Sequence, residues 1–269
     1  LDELDDALHI EQVDQHLDAE VIYAGGGNCA VLFADQAKAE AFVSQLSEQI
    51  LCQAPDLDLV AVHVPVDWEA DALSEQVAQA LEQLAVKKRE RHVSTPLLGL
   101  STTVAGQSTG MPAVGTDADE PELKPKRAAA RSLSASIMAK LRFVQRANKR
   151  LATYLPQFEE AGFEIPYDFD HFGREENEIS YIAVVHADGN SMGKRVEELR
   201  ASFARPQDNR RYIQAMRDFS RAVEAAAREA LGALSLTLLR HWDVGENAIV
   251  GRTQDYRDDP VSVCKIKLS

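Results

Sequence analysis

Between Glu20 and Ala34 two β-prone runs, Glu-Val-Ile-Tyr-Ala and Cys-Ala-Val-Leu-Phe-Ala, flank the corner Gly25-Gly26-Gly27-Asn28. Glycine and asparagine accept the positive φ angles of a tight reversal, so these residues predict an antiparallel hairpin with a four-residue tip. Phe42, Val43, Leu46 and Ile50 then recur at helical spacing until Pro55 and Asp56 interrupt them. Leu57–Val66 is a β-branched run that predicts a further strand. Leu73, Val77, Ala80, Leu81 and Leu84 mark one face of a second helix, which ends in the basic cluster Lys87, Lys88, Arg89 and Arg91. The first ninety residues thus read strand, turn, strand, helix, strand, helix.

Residues 93–130 are rich in Ser, Thr, Gly, Pro and Ala and close on an acidic, then basic, stretch from Asp117 to Arg127. They read as a linker or surface insertion. Helical periodicity returns between Leu133 and Leu155 through Ile137, Leu141, Val144 and Leu151, and Gly162–Asn177 is a turn-rich connector. Glu178–Ala187 predicts a strand that runs directly into Asp188-Gly189-Asn190-Ser191-Met192-Gly193-Lys194. A long helix is expected over Asp208–Leu231, burying Tyr212, Met216, Phe219 and Val223, with another strand at Leu234–Leu239.

Composition narrows the class. An apolar fraction of 45% in 269 residues fits a globular chain of one large or two modest domains. A formal charge of -14 argues against broad, nonspecific attraction to nucleic-acid backbone but leaves room for a local basic groove. Cys29, Cys52 and Cys264 lie far apart without a CxxC pair, so neither a zinc site nor a disulfide framework is expected. The sequence contains no long apolar run and no signal-peptide pattern, which predicts a cytoplasmic protein without a membrane partner. It begins at Leu1 instead of Met, as a processed chain or an excerpt of a longer one would.

Two segments carry chemistry. The glycine tip at residues 25–28 allows close backbone approach to a phosphate or base, although the same residues also make a plain tight turn. Asn28 supplies an oxygen without the negative charge that hard cations such as Mg²⁺ favour. Asp188, at the end of the expected strand, is a metal-ligand position. The backbone amides that follow it and Lys194 suit a polyphosphate at a helix start. An Asp-Gly turn capping a helix is the plainer reading of that stretch. A two-metal phosphoryl transfer needs several such oxygens, and one aspartate is only part of the set.

Together these segments resemble the palm domains of the large subunit of type III CRISPR effector complexes, the CRISPR polymerase family. The likeness lies in Gly25–Asn28 as a GGGN tip and in His186–Gly193 as an HADGN-x-MG strand end of a second palm. Thr109-Gly110-Met111-Pro112-Ala113 adds a Thr-Gly-x-Pro-Ala segment between the palms. The resemblance implies an α+β fold of ferredoxin-like βαββαβ palms of the nucleotidyl-cyclase and polymerase type. It divides the chain into a partial first palm at 1–92, a linker and helical insertion at 93–177, and an incomplete second palm at 178–269. It implies ATP as ligand, Mg²⁺ or Mn²⁺ as cofactor, and a role in antiviral defence beside other effector subunits and RNA. Asp188 becomes the metal ligand, and Gly25, Gly26, Gly27, Asn28, Gly189, Asn190, Gly193 and Lys194 the nucleotide contacts.

The departures are specific. About twenty residues precede Tyr23, too few for the strand and helix that open such a palm. Where a second acidic hairpin would follow, the chain reads Leu238-Leu239-Arg240-His241-Trp242-Asp243-Val244-Gly245-Glu246-Asn247. Gly106-Gln107-Ser108 stands where the family carries a zinc cysteine. The resemblance therefore implies nucleotide binding with oligoadenylate synthesis weakened or lost, and a non-catalytic RNA-binding scaffold is the alternative.

Overall fold

The computed structural model describes residues 19–90, 102–119, 130–163, 184, 186, 188–245, 248–253 and 262–267, the last two stretches as backbone alone. It is an α+β arrangement of helices with small antiparallel sheets. The contacts divide it into two compact units. One comprises residues 1–95 with 186–224, the other residues 96–185 with 225–269.

In the first unit, β1 (Ala19–Gly25) pairs antiparallel with β2 (Asn28–Phe33). Gly25 pairs with Asn28, so the reversal takes two residues, not the expected four. Gly26 and Gly27 have φ of +58° and +75°, the double positive φ of a type I′ turn, which matches the twist of the flanking strands. The register shifts between Val21 and Tyr23, and this bulge lets Val21 and Ile22 both be buried, at 0% and 2% exposure.

Asp35 starts helix α1 (Gln36–Gln53) by accepting from the Lys38 amide at 2.8 Å. Helix α2 spans Leu73–Glu90. Between them, Leu57–Val66, expected as a strand, pairs with no other described residue in a β-ladder, and Leu57 and Leu59 are exposed.

Helix α6 (Met192–Ala201) and a short 3-10 helix at Pro206–Asp208 lead to α7 (Asn209–Arg240), within which the boundary between the units falls. Tyr212, Ile213 and Met216 pack with Ile22, Leu73 and Val77 to form this unit's core, flanked by Leu32, Val66, Trp68, Leu199 and Phe203. Val223, expected on the buried side, is 38% exposed.

Polar anchors tie these distant segments together. The Asn209 side chain accepts from the Leu73 amide (2.8 Å) and donates to the carbonyls of Trp68 (3.2 Å) and Asp71 (3.0 Å). Glu20 meets Arg210 at 2.5 Å and Arg217 at 3.3 Å, and Arg210 stacks 4.6 Å from the Trp68 ring centroid.

In the second unit, part of the stretch read as linker is ordered. β3 (Ala113–Thr116) pairs with β4 (Ser132–Ser134), and Asp117 beside it is buried against Arg131, Nε to carboxylate 2.9 Å. A Cβ on Gly106 would lie 2.9 Å from the Ser134 amide, so the backbone approach leaves no room for a cysteine there.

The helical periodicity read between Leu133 and Leu155 is realised as α3 (Ala135–Arg142) and α4 (Val144–Tyr154), parted at Phe143, after which comes α5 (Pro156–Glu160). Leu234–Leu239, expected as a strand, is the last part of α7. Ser235 and Thr237 bond back to the carbonyls of Gly232 and Ala233, and extending an existing helix costs far less than nucleating a strand elsewhere. Downstream, β5 (Trp242–Asp243), β6 (Ala248–Thr253) and β7 (Ser262–Lys267) form an antiparallel sheet in that order.

Candidate functional site

The hairpin tip is the better built of the two sequence-derived segments. Gly25, Gly26, Gly27 and Asn28 lie at the corner of β1 and β2. A side chain on any of the three glycines would meet only open space, so the corner's backbone is accessible. Its glycines at 26 and 27 are required by φ rather than by crowding.

Asn28 is not free to serve a metal ion. Its Nδ2 donates to the Gly26 carbonyl at 3.4 Å, and its Oδ1 accepts from Lys88 Nζ at 3.2 Å. An ammonium therefore occupies the place beside Oδ1 that a divalent cation would need. Lys87, the preceding residue, donates to the Ala61 carbonyl at 2.7 Å. Lys87, Lys88 and Arg89 all lie in the last turn of α2, where cations also complement the helix dipole. The corner thus combines open glycine backbone with a cationic helix end, a chemistry suited to an anion.

The second segment sits in the same unit. Asp188, Gly189 and Asn190 are exposed, and Ser191 adopts a left-handed conformation (φ +61°) at the start of α6 without a side-chain capping bond. Gly193 and Lys194 occupy the first turn of α6, and Lys194 lies 3.7 Å from Glu198 one turn on. A Cβ on Gly189 would press on Met192 Cγ at 3.2 Å, which favours glycine there. The strand expected at Glu178–Ala187 lies outside the described residues except for Val184 and His186, which are exposed and in no strand.

No contact joins Asp188 to Gly25–Asn28 among the described hydrogen bonds. What the two segments share is α2, which bonds Asn28 through Lys88 and packs on α6. Among the described residues no group of three or more His, Cys, Asp or Glu side chains is arranged to hold a metal ion.

An open groove of about 560 Å³ runs along α2, lined by Val62, His63, Glu82, Gln83, Val86, Lys87 and Glu90. It contains none of the predicted site residues. Lys88, one of the basic cluster that ends α2, is a contact of Asn28 that the sequence alone does not reveal. Sixty positions separate it from Asn28, and no periodicity links them. No described helix is long and apolar enough to cross a membrane. No family model matches the chain, and no curated protein matches it.

Proposed function

We propose that this chain is a nucleotide-binding, palm-type protein of a type III CRISPR-like antiviral system, acting in the cytoplasm with oligoadenylate synthesis weakened or lost. The observation that carries this reading is the hairpin corner itself. Two positive-φ glycines expose backbone, and Lys88 holds Asn28 from the end of α2. Backbone amides beside a lysine receive phosphate oxygens. The acid that a metal-dependent reaction would need at this corner is replaced by a neutral amide bonded to an ammonium. Asp188 and the first turn of α6 supply the second half of the resemblance, with Gly189, Asn190, Gly193 and Lys194 as further nucleotide contacts.

Isothermal titration with ATP tests this directly, in the presence and absence of Mg²⁺. Binding is expected with both, and Lys88→Glu should weaken it at least tenfold by reversing the charge at the corner. Mass spectrometry after incubation with ATP and Mn²⁺ is expected to reveal no oligoadenylate. Absence of heat at millimolar ATP, in wild type and Asp188→Ala alike, overturns the nucleotide reading. An oligoadenylate product lost in Asp188→Asn overturns the claim of lost synthesis.

A further inference from the structure

Asp208 closes the 3-10 turn that leads into α7, and its side chain is only 7% exposed. A carboxylate taken out of water needs a counter-charge, and a single guanidinium supplies it. Asp208 has two. Arg205 donates from Nε to Oδ2 at 3.1 Å, and Arg211 donates from a terminal nitrogen to Oδ1 at 3.0 Å. Among the described residues neither arginine pairs with another carboxylate. The three groups together therefore carry a surplus positive charge.

Both arginines are held at one point and open elsewhere. Their side chains are 74% and 73% exposed, although the carboxylate they share is buried. A guanidinium has several N–H donors in a rigid fork, and each of these gives one to Asp208. Arg211 is further fixed by lying over the Phe203 ring, 5.6 Å from its centroid. Because both bonds end on one carboxylate, the guanidiniums are neighbours with most of their donors unspent. Arg210, between them and α7 in sequence order, is committed instead to Glu20 and to the face of Trp68.

We propose that Arg205 and Arg211 form a clamp for a phosphate monoester, a terminal phosphoryl group that is close to dianionic at neutral pH. An arginine fork matches a pair of phosphate oxygens, and the free end of a monoester offers enough oxygens for both forks. A carboxylate or a phosphodiester brings less charge and fewer free oxygens, so it gains less from a second guanidinium. The buried Asp208 acts as the positioning residue, holding both forks before the ligand arrives. No described hydrogen bond joins the clamp to Gly25–Asn28 or to Lys88, so it stands independently of the nucleotide reading.

Fluorescence polarisation with a labelled phosphoserine peptide, otherwise of glycine and alanine, tests the clamp beside the same peptide carrying serine or glutamate. The phosphoserine form should bind about tenfold tighter than the glutamate form, and the serine form should not bind. Arg205→Gln and Arg211→Gln should each weaken binding by about tenfold or more, the lower end for a hydrogen bond between charged groups. Each leaves one guanidinium on Asp208, and circular dichroism verifies the fold. Arg205→Lys keeps the charge beside Asp208 but removes the fork, so it should weaken binding as well, and it serves if a glutamine variant unfolds.

Competition by inorganic phosphate separates the two sources of the group. Equal affinity identifies free phosphate or a small ester as the natural ligand, and tighter binding of the peptide identifies a phosphorylated protein. Lys88→Gln should leave the phosphopeptide bound, and the heat of ATP binding should persist in Arg205→Gln. The proposal is overturned if neither phosphopeptide nor inorganic phosphate binds at millimolar concentration, if the glutamate peptide binds as tightly, or if the three arginine variants bind like wild type. It also falls if Lys88→Gln loses binding equally, or if an oligo-U RNA without terminal phosphate binds and the phosphopeptide does not.

Discussion

Replacing Asn209 by leucine is expected to destabilise the first unit by about 4 kcal/mol, through lost hydrogen bonds with little loss of volume. Asn209 is 2% exposed, and its Oδ1 is the acceptor for the amide of Leu73, the first residue of α2. The first amides of a helix have no partner within it, so this bond is a cap supplied from 136 positions away. Leucine would strand that buried N–H, at a cost of about 1–3 kcal/mol. The Trp68 and Asp71 carbonyls belong to half-buried residues. Water partly replaces Nδ2 there, and each of the two lost bonds costs about 1 kcal/mol.

The assay is urea unfolding followed by Trp68 fluorescence, with Trp242→Phe in both proteins so that one unit reports. Asn209→Asp sharpens the test. It keeps the acceptor for Leu73 but turns a second carboxylate oxygen toward two carbonyls, which favours its protonated form in the folded state. A carboxyl raised in this way binds its proton more tightly folded than unfolded. Its stability relative to wild type is therefore highest below the ordinary value near 3.9 and is lost as pH rises through the folded one. A leucine variant costing under about 1 kcal/mol, or an aspartate variant that tracks it at every pH, refutes the reasoning.

Two further outcomes follow from buried titratable groups. Burial pulls the Asp117 carboxyl up, but hydrogen bonds and charge from Arg131 outweigh it and hold it below its usual value. Arg131→Met should therefore cost about 1.5–3 kcal/mol in a pH 7 thermal melt. The gap to wild type should narrow as pH falls below about 4, since a depressed carboxyl contributes stability only above its unfolded value; an unchanged gap at pH 3 contradicts this. Burial, with Tyr23 adding and Arg200 opposing, pushes Tyr212 up to about 12. Its contribution is complete below the ordinary value of 10.0 and is lost as pH rises toward 12, so Tyr212→Phe should raise the midpoint of alkaline unfolding. Ultraviolet titration with every tyrosine ionising near pH 10 in a folded protein would exclude it.

What the sequence disclosed and what it concealed separate by the range of the interactions involved. The hairpin was readable because Gly26 and Gly27 sit inside the turn they create. Both helices after it were readable from their stripes. Leu57–Val66 finds no ladder partner among the described residues, and nothing in those ten residues names one. Leu234–Leu239 was misread. Its Leu-Ser-Leu-Thr-Leu alternation fits a strand period, yet the preceding turns of α7 were already formed and the two hydroxyls bond back along the helix. Of the candidate site, residue types and local backbone were legible, while the Lys88–Asn28 bond was not.

That bond and the Asn209 cluster have a common logic. The first unit is assembled from segments more than a hundred positions apart, and its apolar core accepts many registers because burial is non-directional. Hydrogen bonds are directional. Leu73 and Lys88 belong to one helix, so the bonds at its two ends act through a single rigid element. Asn209 fixes where α2 begins relative to α7, and that fixes where its cationic end lies against the glycine corner. The corner's geometry depends on such anchoring, because one ammonium 3.2 Å from one amide oxygen has no redundancy. The buried polar residues of this unit are thus best understood as the reason its exposed corner has a defined geometry at all.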